Sequence, residues 1–279
     1  MRELKKNHLV KTIFIYLILG LGAIWMILPF LWMFLSSFKD QNSIFTYPPQ
    51  WLPTVWHFEN YLNVWKVVPM GRWFLNSIIV ASLATFGNIF GSSLAAYAFA
   101  KIKFAGNKPL FLILLGTMMV PYQVIVIPMF LLMKHLGWVN TLKPLFIPYF
   151  TGSAFGIFLL RQFIIQLPDE LFDAAKIDGA GDGIIFSKIV FPLIKPALST
   201  LGLFTFIGSW NDLFNPLIYL YDKDKYTIAL GLTYFQGQYS GSWHYLMTGS
   251  VIAVLPIVIV FFFTQKYFIK GIKLSGIKF

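Results

Sequence analysis

LPDELFDAAKIDGAGDGIIFSKIVFPLIKP, residues Leu167–Pro196, is a polar and acid-rich stretch in an otherwise apolar chain. It holds five of the eleven acidic residues of the protein: Asp169, Glu170, Asp173, Asp178 and Asp182. A chain made mostly of lipid-facing helices has little reason to keep such a block in one loop unless something outside the membrane docks on it. We therefore predict that residues 167–196 form a loop that contacts a soluble partner.

The composition around this loop is that of a membrane protein. Hydrophobic residues make up 57% of the chain and charged residues only 12%, whereas soluble domains carry about 25% charged residues. Six apolar runs reach or approach the roughly 17–25 residues that cross a bilayer. The sequence predicts an all-α polytopic membrane protein, one domain over residues 1–279, with six transmembrane helices. The runs are Thr12–Phe38, Trp73–Ala100, Pro109–Met133, Pro144–Leu160, Pro196–Tyr221 (interrupted only by Asp212) and Tyr245–Gln265.

The net charge of +11 is a signal of topology. If the N-terminus is cytoplasmic, the inside segments hold fifteen of the twenty-two lysines and arginines, as the positive-inside rule requires. We predict a multi-pass protein of the cell (inner) membrane with both termini in the cytoplasm. Nucleic-acid binding is not expected, because the basic residues are scattered at helix ends and do not form one face with interleaved aromatic residues.

Residues for catalysis or metal binding are sparse. The chain has no cysteine, and its histidines lie in four different segments, at His8, His57, His135 and His244. No GxxxxGK[ST] motif occurs, so this chain is not expected to bind ATP itself. We predict no enzyme activity, no metal site and no cofactor. Two alternatives remain: a proton-coupled transporter that uses Asp212 as a relay, and a membrane-embedded glycosyltransferase with an acid/base cluster.

The polar loop has the local signals of a short helix. Pro168 suits a first helical position, and Asp169 and Glu170 follow in the first turn, where carboxylates meet the positive end of the helix dipole. We predict that Leu171, Ala174 and Ala175 share one face, and that Gly179 and Gly181 lie where the helix needs a left-handed stop. Asp182 then begins a second helix, whose apolar face consists of Ile185, Phe186, Ile189 and Val190.

At these residues the sequence resembles the inner-membrane permease subunits of binding-protein-dependent ABC importers of the carbohydrate-uptake type. The segment DAAKIDGA at 173–180 looks like the EAA loop of that family, although Asp173 stands where the family usually has glutamate. The resemblance covers most of the chain and is closest to the second permease of maltose-type systems. It extends to SAFGIFLLRQF at 153–163, FTFIGSWND at 204–212 and FQGQY at 235–239.

The resemblance implies a specific function and a set of partners. The chain would form half of a translocation pathway for a sugar or oligosaccharide, in a heterodimer with a second permease. Two copies of a cytoplasmic subunit would bind ATP and magnesium, and an extracytoplasmic solute-binding protein would deliver the sugar. The helix from Asp169 to Ile177 would dock on the ATPase, and the implied contact residues are Asp169, Glu170, Asp173, Ala174, Ala175, Asp178 and Gly179.

One acid lies within a predicted span and marks a candidate pathway. A carboxylate at mid-helix costs about 2.5 kcal/mol or more unless it is paired or hydrated, so Asp212 should face water or the bundle interior. Trp210 and Asn211 beside it offer an aromatic plane and an amide to a sugar. Pro121 interrupts the third run just before Tyr122 and Gln123. We place these two residues near the same pathway; the alternative is a kink that serves helix packing alone. The alternative is structural: Asp212 caps a broken helix or pairs with Lys143.

Two further patterns complete the prediction. Gln236, Gly237, Gln238 and Tyr239 lie in the last external loop, and the resemblance implies that they contact the solute-binding protein. Pairs of glycines four residues apart let helices approach closely in lipid, which favours close packing of the second and fourth spans. These glycines are Gly87 with Gly91, and Gly152 with Gly156.

Overall fold

The structure, a computed structural model, describes residues 2–237 and 241–275, with side chains for residues 11–237 and 241–265. Every regular element within those ranges is helical, which confirms the predicted all-α class. In the first half of the chain the helices are α1 (Arg2–Ser36), α2 (Asn60–Val67), α3 (Met70–Lys101), α4 (Asn107–Thr117), α5 (Tyr122–His135), α6 (Lys143–Phe146), which continues as a 3₁₀ turn over Ile147–Thr151, and α7 (Ala154–Ile165).

The second half begins with the polar loop and ends in a long helix. Its elements are α8 (Asp169–Ile177), α9 (Asp182–Ile184), a π-helical stretch over Ile185–Val190, α10 (Phe191–Leu193), α11 (Lys195–Trp210), α12 (Phe214–Tyr219), a 3₁₀ turn over Lys223–Lys225, α13 (Ile228–Thr233) and α14 (Trp243–Ser275).

Four stretches within the described residues are helical, long and apolar enough to cross a membrane without a sharp break: Lys11–Ser36, Met70–Lys101, Lys143–Ile165 and Trp243–Gln265. Two further spans are possible only as bent pairs, α4 with α5 at 99° and Asp182–Leu193 with α11 at 77°. The structure therefore has four to six spans, and six is reached when each bent pair is one crossing.

The bend between α4 and α5 lies where the sequence predicts an interruption. Pro121 has extended backbone angles, φ −60° and ψ 134°, and immediately precedes α5. Proline has no N–H to donate to the preceding turn, so α4 ends and a new helix begins at Tyr122. Pro128, in contrast, lies inside α5.

The chain divides into two compact units, of which the first comprises residues 1–68 and 232–254. Two of its buried polar residues, Asn60 and Lys39, make their polar contacts within the unit. The Asn60 amide donates to the carbonyl oxygens of Ser37 and Lys39, at 3.0 Å each. The Lys39 side chain is buried; its ammonium lies 4.2 Å from the Trp32 ring centroid and donates to the Gln50 carbonyl oxygen. Burial lowers the pKa of Lys39.

The second unit comprises residues 69–231 and 255–279 and contains close contacts between α3 and the segment that begins α7. A Cβ atom on Gly91 would lie 2.3 Å from the Phe150 carbonyl oxygen, and one on Gly152 would lie 2.8 Å from the Ser92 nitrogen. Gly152 also has φ +79°, a conformation that favours glycine. The predicted close packing of the two glycine pairs is confirmed.

A network of buried hydrogen bonds surrounds this contact. Asn88 of α3 donates through its amide to the Thr205 hydroxyl of α11 at 2.8 Å. Its amide oxygen accepts from the Ser92 hydroxyl at 2.8 Å and from the Ser153 backbone N–H at 2.9 Å. Lipid offers no replacement for these partners. The network, here called the Asn88 network, therefore joins α3, α11 and the start of α7.

We predict that Gly91→Ala destabilises the protein, whereas the matched variant Gly116→Ala does not. The new methyl group at 91 overlaps the Phe150 carbonyl oxygen, and overpacking of this kind costs about 1–3 kcal/mol. A Cβ atom at 116 meets nothing within 4 Å. The measurement is the thermal unfolding temperature of the detergent-purified protein. Equal unfolding temperatures for Gly91→Ala and the wild type would contradict the close helix contact.

Candidate functional site

The short helix α8 forms where the sequence predicts it and ends in a hydrogen-bonded glycine cap. Gly179 has φ +79°, its N–H donates to the Lys176 carbonyl oxygen at 3.0 Å, and the Ala180 N–H donates to the Ala175 carbonyl oxygen at 2.9 Å. These are the two bonds of a Schellman motif. The predicted left-handed stop is confirmed at Gly179 but not at Gly181, whose backbone is extended, with φ −74°, because it leads into α9.

The face that α8 buries differs from the predicted one. Phe172 and Ala175 are buried, and both belong to a core cluster that includes residues of α3, α7 and α11. Leu171 and Ala174 are exposed. The large Phe172 ring fixes which side of the helix turns inward, so Ala175 packs against its own chain. The outward surface of α8 therefore consists of Asp173, Ala174 and neighbours such as Ile177, which is 86% exposed.

Two side chains of α3 hold the polar loop, one at the start of α8 and the other at the start of α9. The Lys101 ammonium donates to Asp169 Oδ1 at 2.6 Å and to the Leu167 carbonyl oxygen at 3.2 Å, and it lies 4.1 Å from the Phe172 ring centroid. The Tyr97 hydroxyl donates to Asp182 Oδ1 at 3.0 Å. Tyr97 and Lys101 are four residues apart, on one face of α3. They fasten the start of α8 and the start of α9 to a membrane-spanning helix.

The remaining acids of the polar loop are available to a partner. Glu170, Asp173 and Asp178 are exposed, and their carboxylates make no hydrogen bond or ion pair with the described side chains. Asp169 differs, because the hydrogen bond from Lys101 and the charge of that ammonium hold the pKa of its carboxyl below the usual range. The structure thus separates the loop acids into anchoring and outward-facing groups.

A polar cleft lies within the second unit, where α5, the turn before α7 and the break after α11 meet. Its volume is about 230 Å³. Its polar lining residues are Tyr122, Tyr149, Ser153, Asp212, Asn215 and Tyr219. Hydroxyl, amide and carboxylate groups beside tyrosine rings can both accept from and donate to a ligand rich in hydroxyl groups.

The position of Asp212 corrects the prediction that it lies mid-helix. It occupies the break between α11 and α12, where its carboxylate accepts from the Asn215 backbone N–H at 3.2 Å and from the Asn215 side-chain amide at 2.8 Å. The Tyr122 hydroxyl donates in turn to the Asn215 amide oxygen. Asp212 therefore both caps the broken helix, as the structural alternative expected, and lines the cleft. Its described hydrogen bonds are to Asn215 and do not involve Lys143.

Of the other residues assigned to the pathway, Tyr122 lines this cleft, whereas Trp210, Asn211 and Gln123 do not. Trp210 is only 1% exposed; its ring stacks on Phe206 at 5.8 Å between centroids and meets Phe74 edge-on at 5.6 Å. Asn211 and Gln123 are exposed but lie outside the lining. Tyr149, Ser153, Asn215 and Tyr219 were not predicted. These four residues line the cleft because of the path that the chain takes between its helices. The sequence around them carries no local signal of that path.

The loop assigned to the solute-binding protein is described only in part. Gln236 and Gly237 are exposed, whereas Gln238 and Tyr239 lie outside the described residues. In the second unit, the segment around Asp222 is held by an ion pair and a hydrogen bond. Asp222 accepts from Lys225 at 2.8 Å and from the Asn140 amide at 2.9 Å. These two bonds and the Lys225 charge lower the pKa of Asp222.

Comparison with known proteins gives concordant matches. Residues 87–274 match the family "Binding-protein-dependent transport system inner membrane component". The chain is 35% identical over 269 residues to the probable ABC transporter permease protein YurM of Bacillus subtilis, covering 96% of this chain and 88% of that protein. It is 34% identical to the trehalose/maltose transport system permease protein MalG of Thermococcus litoralis, covering 95% and 96% of the two chains.

A solved structure agrees with these relatives. The fold matches a chain of a bacterial ABC transporter involved in the import of the acidic polysaccharide alginate, with a TM-score of 0.81 and 25% identity, over 93% of this chain and 96% of that chain. The resemblance noted in the sequence is confirmed. The chain belongs to the family of inner membrane components of binding-protein-dependent transport systems, and it is a multi-pass permease subunit of an ABC importer.

Proposed function

We propose that this permease forms half of the translocation pathway for a sugar or oligosaccharide and transmits the energy of ATP hydrolysis from a partner subunit. The observation that carries this proposal is the anchoring of the polar loop to α3, by Lys101 at the start of α8 and by Tyr97 at Asp182, the first residue of α9. Helix α8 presents exposed acids and a small exposed alanine to a partner, and it is fixed to a spanning helix. It is therefore suited to transmit a movement of the partner subunit to the membrane-spanning part of the chain. Relatives named for trehalose/maltose and for arabinooligosaccharides support the sugar class.

The proposed energy transfer begins at the exposed surface of α8. Two copies of a cytoplasmic subunit bind ATP and magnesium, and one of them receives Asp173 and Ala174 in a surface groove. Glu170 and Asp178 meet basic groups at the edge of that groove. Asp169, although it belongs to the same loop, acts within the chain by holding Lys101. Ala175 and Gly179 shape the helix and do not contact the partner directly.

The cleft is the proposed part of the sugar pathway in this chain. Complete ligand pockets measure about 300–1,000 Å³, so a cleft of about 230 Å³ suits one side of a pathway that a second, different permease completes. Tyr122, Asp212 and Asn215 supply hydrogen-bonding groups for sugar hydroxyls. Asn211 and Gln123 are assigned no contact with the sugar. The buried Trp210 has a structural role at the end of α11.

Two further partners follow from this assignment. The exposed Gln236 and Gly237, continuing into Gln238 and Tyr239, are the proposed contact for an extracytoplasmic solute-binding protein. The apolar part of α1, Lys11–Ser36, contains a stretch of 18 residues of which none is buried within the chain. We therefore propose that this helix faces lipid or the second permease. Both termini lie in the cytoplasm in this arrangement, as the distribution of lysine and arginine favours.

We predict that Ala174→Arg uncouples the transporter without unfolding the permease. Ala174 is exposed, so the longer side chain is accommodated in the isolated chain but blocks docking in a groove. A central contact of an interface is worth about 2 kcal/mol or more, which corresponds to roughly 30-fold weaker binding of the ATPase. The measurements are co-purification of the ATPase subunit and sugar-dependent ATP hydrolysis by the assembled complex in liposomes.

Two variants make this test specific. Ala105→Arg places the same side chain on an exposed loop alanine outside α8, and it should leave ATPase binding unchanged. Ala175→Arg should reduce the yield of folded permease, because that site is buried in the core and an unpaired charge there is costly. Normal ATPase binding and hydrolysis by Ala174→Arg would refute the docking proposal.

We predict that Asn215→Ala and Tyr122→Phe reduce sugar uptake, whereas Gln123→Ala does not. The first two remove polar groups from the cleft lining, and losing one hydrogen bond to a bound ligand costs about 0.5–1.5 kcal/mol. Gln123 lies outside the lining. Uptake is measured in proteoliposomes with radiolabelled maltose, trehalose and arabinooligosaccharides, using whichever the wild type transports. Unchanged uptake by both cleft variants in normally assembled complexes would remove the cleft from the pathway.

A further inference from the structure

A second, larger cleft of about 880 Å³ lies where α3 ends, at the foot of the second unit. The loop over residues 102–106, the start of α4 and the end of α7 enclose it. Four cationic side chains line it, against one carboxylate, that of Asp169. The cations are Lys101, Lys103, Lys108 and Arg161, so the lining has a net charge of +3.

Only part of this positive charge is used within the chain. Lys101 is bound to Asp169. Arg161 donates through Nε to the Phe99 carbonyl oxygen at 3.2 Å, and its guanidinium carbon lies 4.1 Å from the Phe111 ring centroid. Lys103 and Lys108 are exposed, and their ammonium groups have no hydrogen bond or ion pair with the described side chains. The cleft therefore presents two unpaired ammonium groups.

The loop that carries these lysines has a defined shape. Gly106 has φ +85° and precedes the first residue of α4. The Asn107 side-chain amide donates to the Ile102 carbonyl oxygen at 3.1 Å, which holds the two ends of the loop together. Lys103 and Lys108 are thereby placed at one opening, with the side chain of Arg161 behind them.

An apolar surface continues directly from this basic opening. Helix α4 exposes Leu110, Leu112 and Ile113, with exposed fractions of 49%, 67% and 65%, and Phe104 of the loop is 39% exposed. The three side chains of α4 belong to a helix that is part of a candidate membrane span. A ligand that matched the whole surface would join an anionic group to long apolar chains.

We propose that this cleft binds the headgroup of an anionic phospholipid. Lys103 and Lys108 contact the phosphate, Arg161 adds positive charge behind it, and the acyl chains lie along the exposed face of α4. Basic pockets at the ends of spanning helices bind acidic lipid headgroups through the same combination of charges. Free phosphate has the same anionic chemistry, but it leaves the apolar surface of α4 uncovered. The lipid is therefore the occupant that fits both surfaces.

The site lies beside the fastening of α8. Asp169 and Lys101 line the cleft and also form the ion pair that holds the start of that helix. A bound lipid would place a negative charge next to Lys101 and fill the space behind the loop. Lipid occupancy would thus act on the position of α8 through shared residues.

The test is native mass spectrometry of the detergent-purified full-length chain, titrated separately with phosphatidylglycerol, phosphatidylcholine and inorganic phosphate. We expect phosphatidylglycerol adducts at concentrations about 10-fold lower than phosphatidylcholine adducts, because each lysine near an acidic headgroup contributes strongly to binding. Millimolar inorganic phosphate should not displace the bound lipid. Equal binding of the two lipids, or displacement of phosphatidylglycerol by phosphate, would overturn the proposal.

Charge-removal variants locate the site. The double variant Lys103→Gln/Lys108→Gln should bind phosphatidylglycerol about 10-fold more weakly. The matched control Lys134→Gln/Lys143→Gln removes two exposed lysines from other helix ends and should bind it as the wild type does. The single variant Lys108→Gln gives an intermediate affinity if both lysines contact the headgroup. Equal affinities for the two double variants would overturn the assignment to this cleft.

Discussion

The structure depends on one constraint: three helices approach so closely in a medium without water that every polar group between them needs a partner inside the protein. Gly91 and Gly152 allow the approach, because a methyl group on either would overlap the opposite backbone. Asn88 then bonds to Thr205, Ser92 and Ser153 at once. An amide with all these bonds fixes α3, α7 and α11 in one register, since a slip along any helix axis would leave buried donors without acceptors.

This constraint connects the two parts of the proposed mechanism. Ser153, bonded to Asn88, lines the polar cleft. On the same α3 helix, Lys101 holds the start of α8 and Tyr97 holds Asp182 at the start of α9. Asn88 and Tyr97 are nine residues apart, which is about 14 Å along a helix at 1.5 Å per residue. A displacement of α8 is therefore carried to the cleft by one continuous helix, and it needs no separate flexible relay.

Local signals in the sequence predicted those features that depend on local chemistry. Pro121 has no N–H to donate to the turn before it, and the chain bends there, while Gly179 ends α8 through bonds within six residues. The close packing at the glycine pairs was also predicted, but which side chains turn inward depends on tertiary packing and was not predicted correctly. Ala175 turns inward because Phe172 fills the core beside it, and Trp210 is covered by Phe74 and Phe206. Asp212 reads as mid-helix in an apolar run, but its bonds to Asn215 stabilise a break there. In the sequence, Lys101 looks like any basic residue at the end of a span. Only the structure shows that it is paired with Asp169.

The central claim is that α8 and the outer part of α3 move as one body, and pulsed electron paramagnetic resonance between two spin labels tests it most directly. The chain contains no cysteine, so Leu75→Cys and Lys176→Cys introduce its only thiols, both at exposed positions, and position 176 of α8 is not among the proposed ATPase contacts. In the assembled transporter the account predicts the same distance distribution in the nucleotide-free state and in a state trapped with ATP. A distribution that shifts between the two states would contradict it.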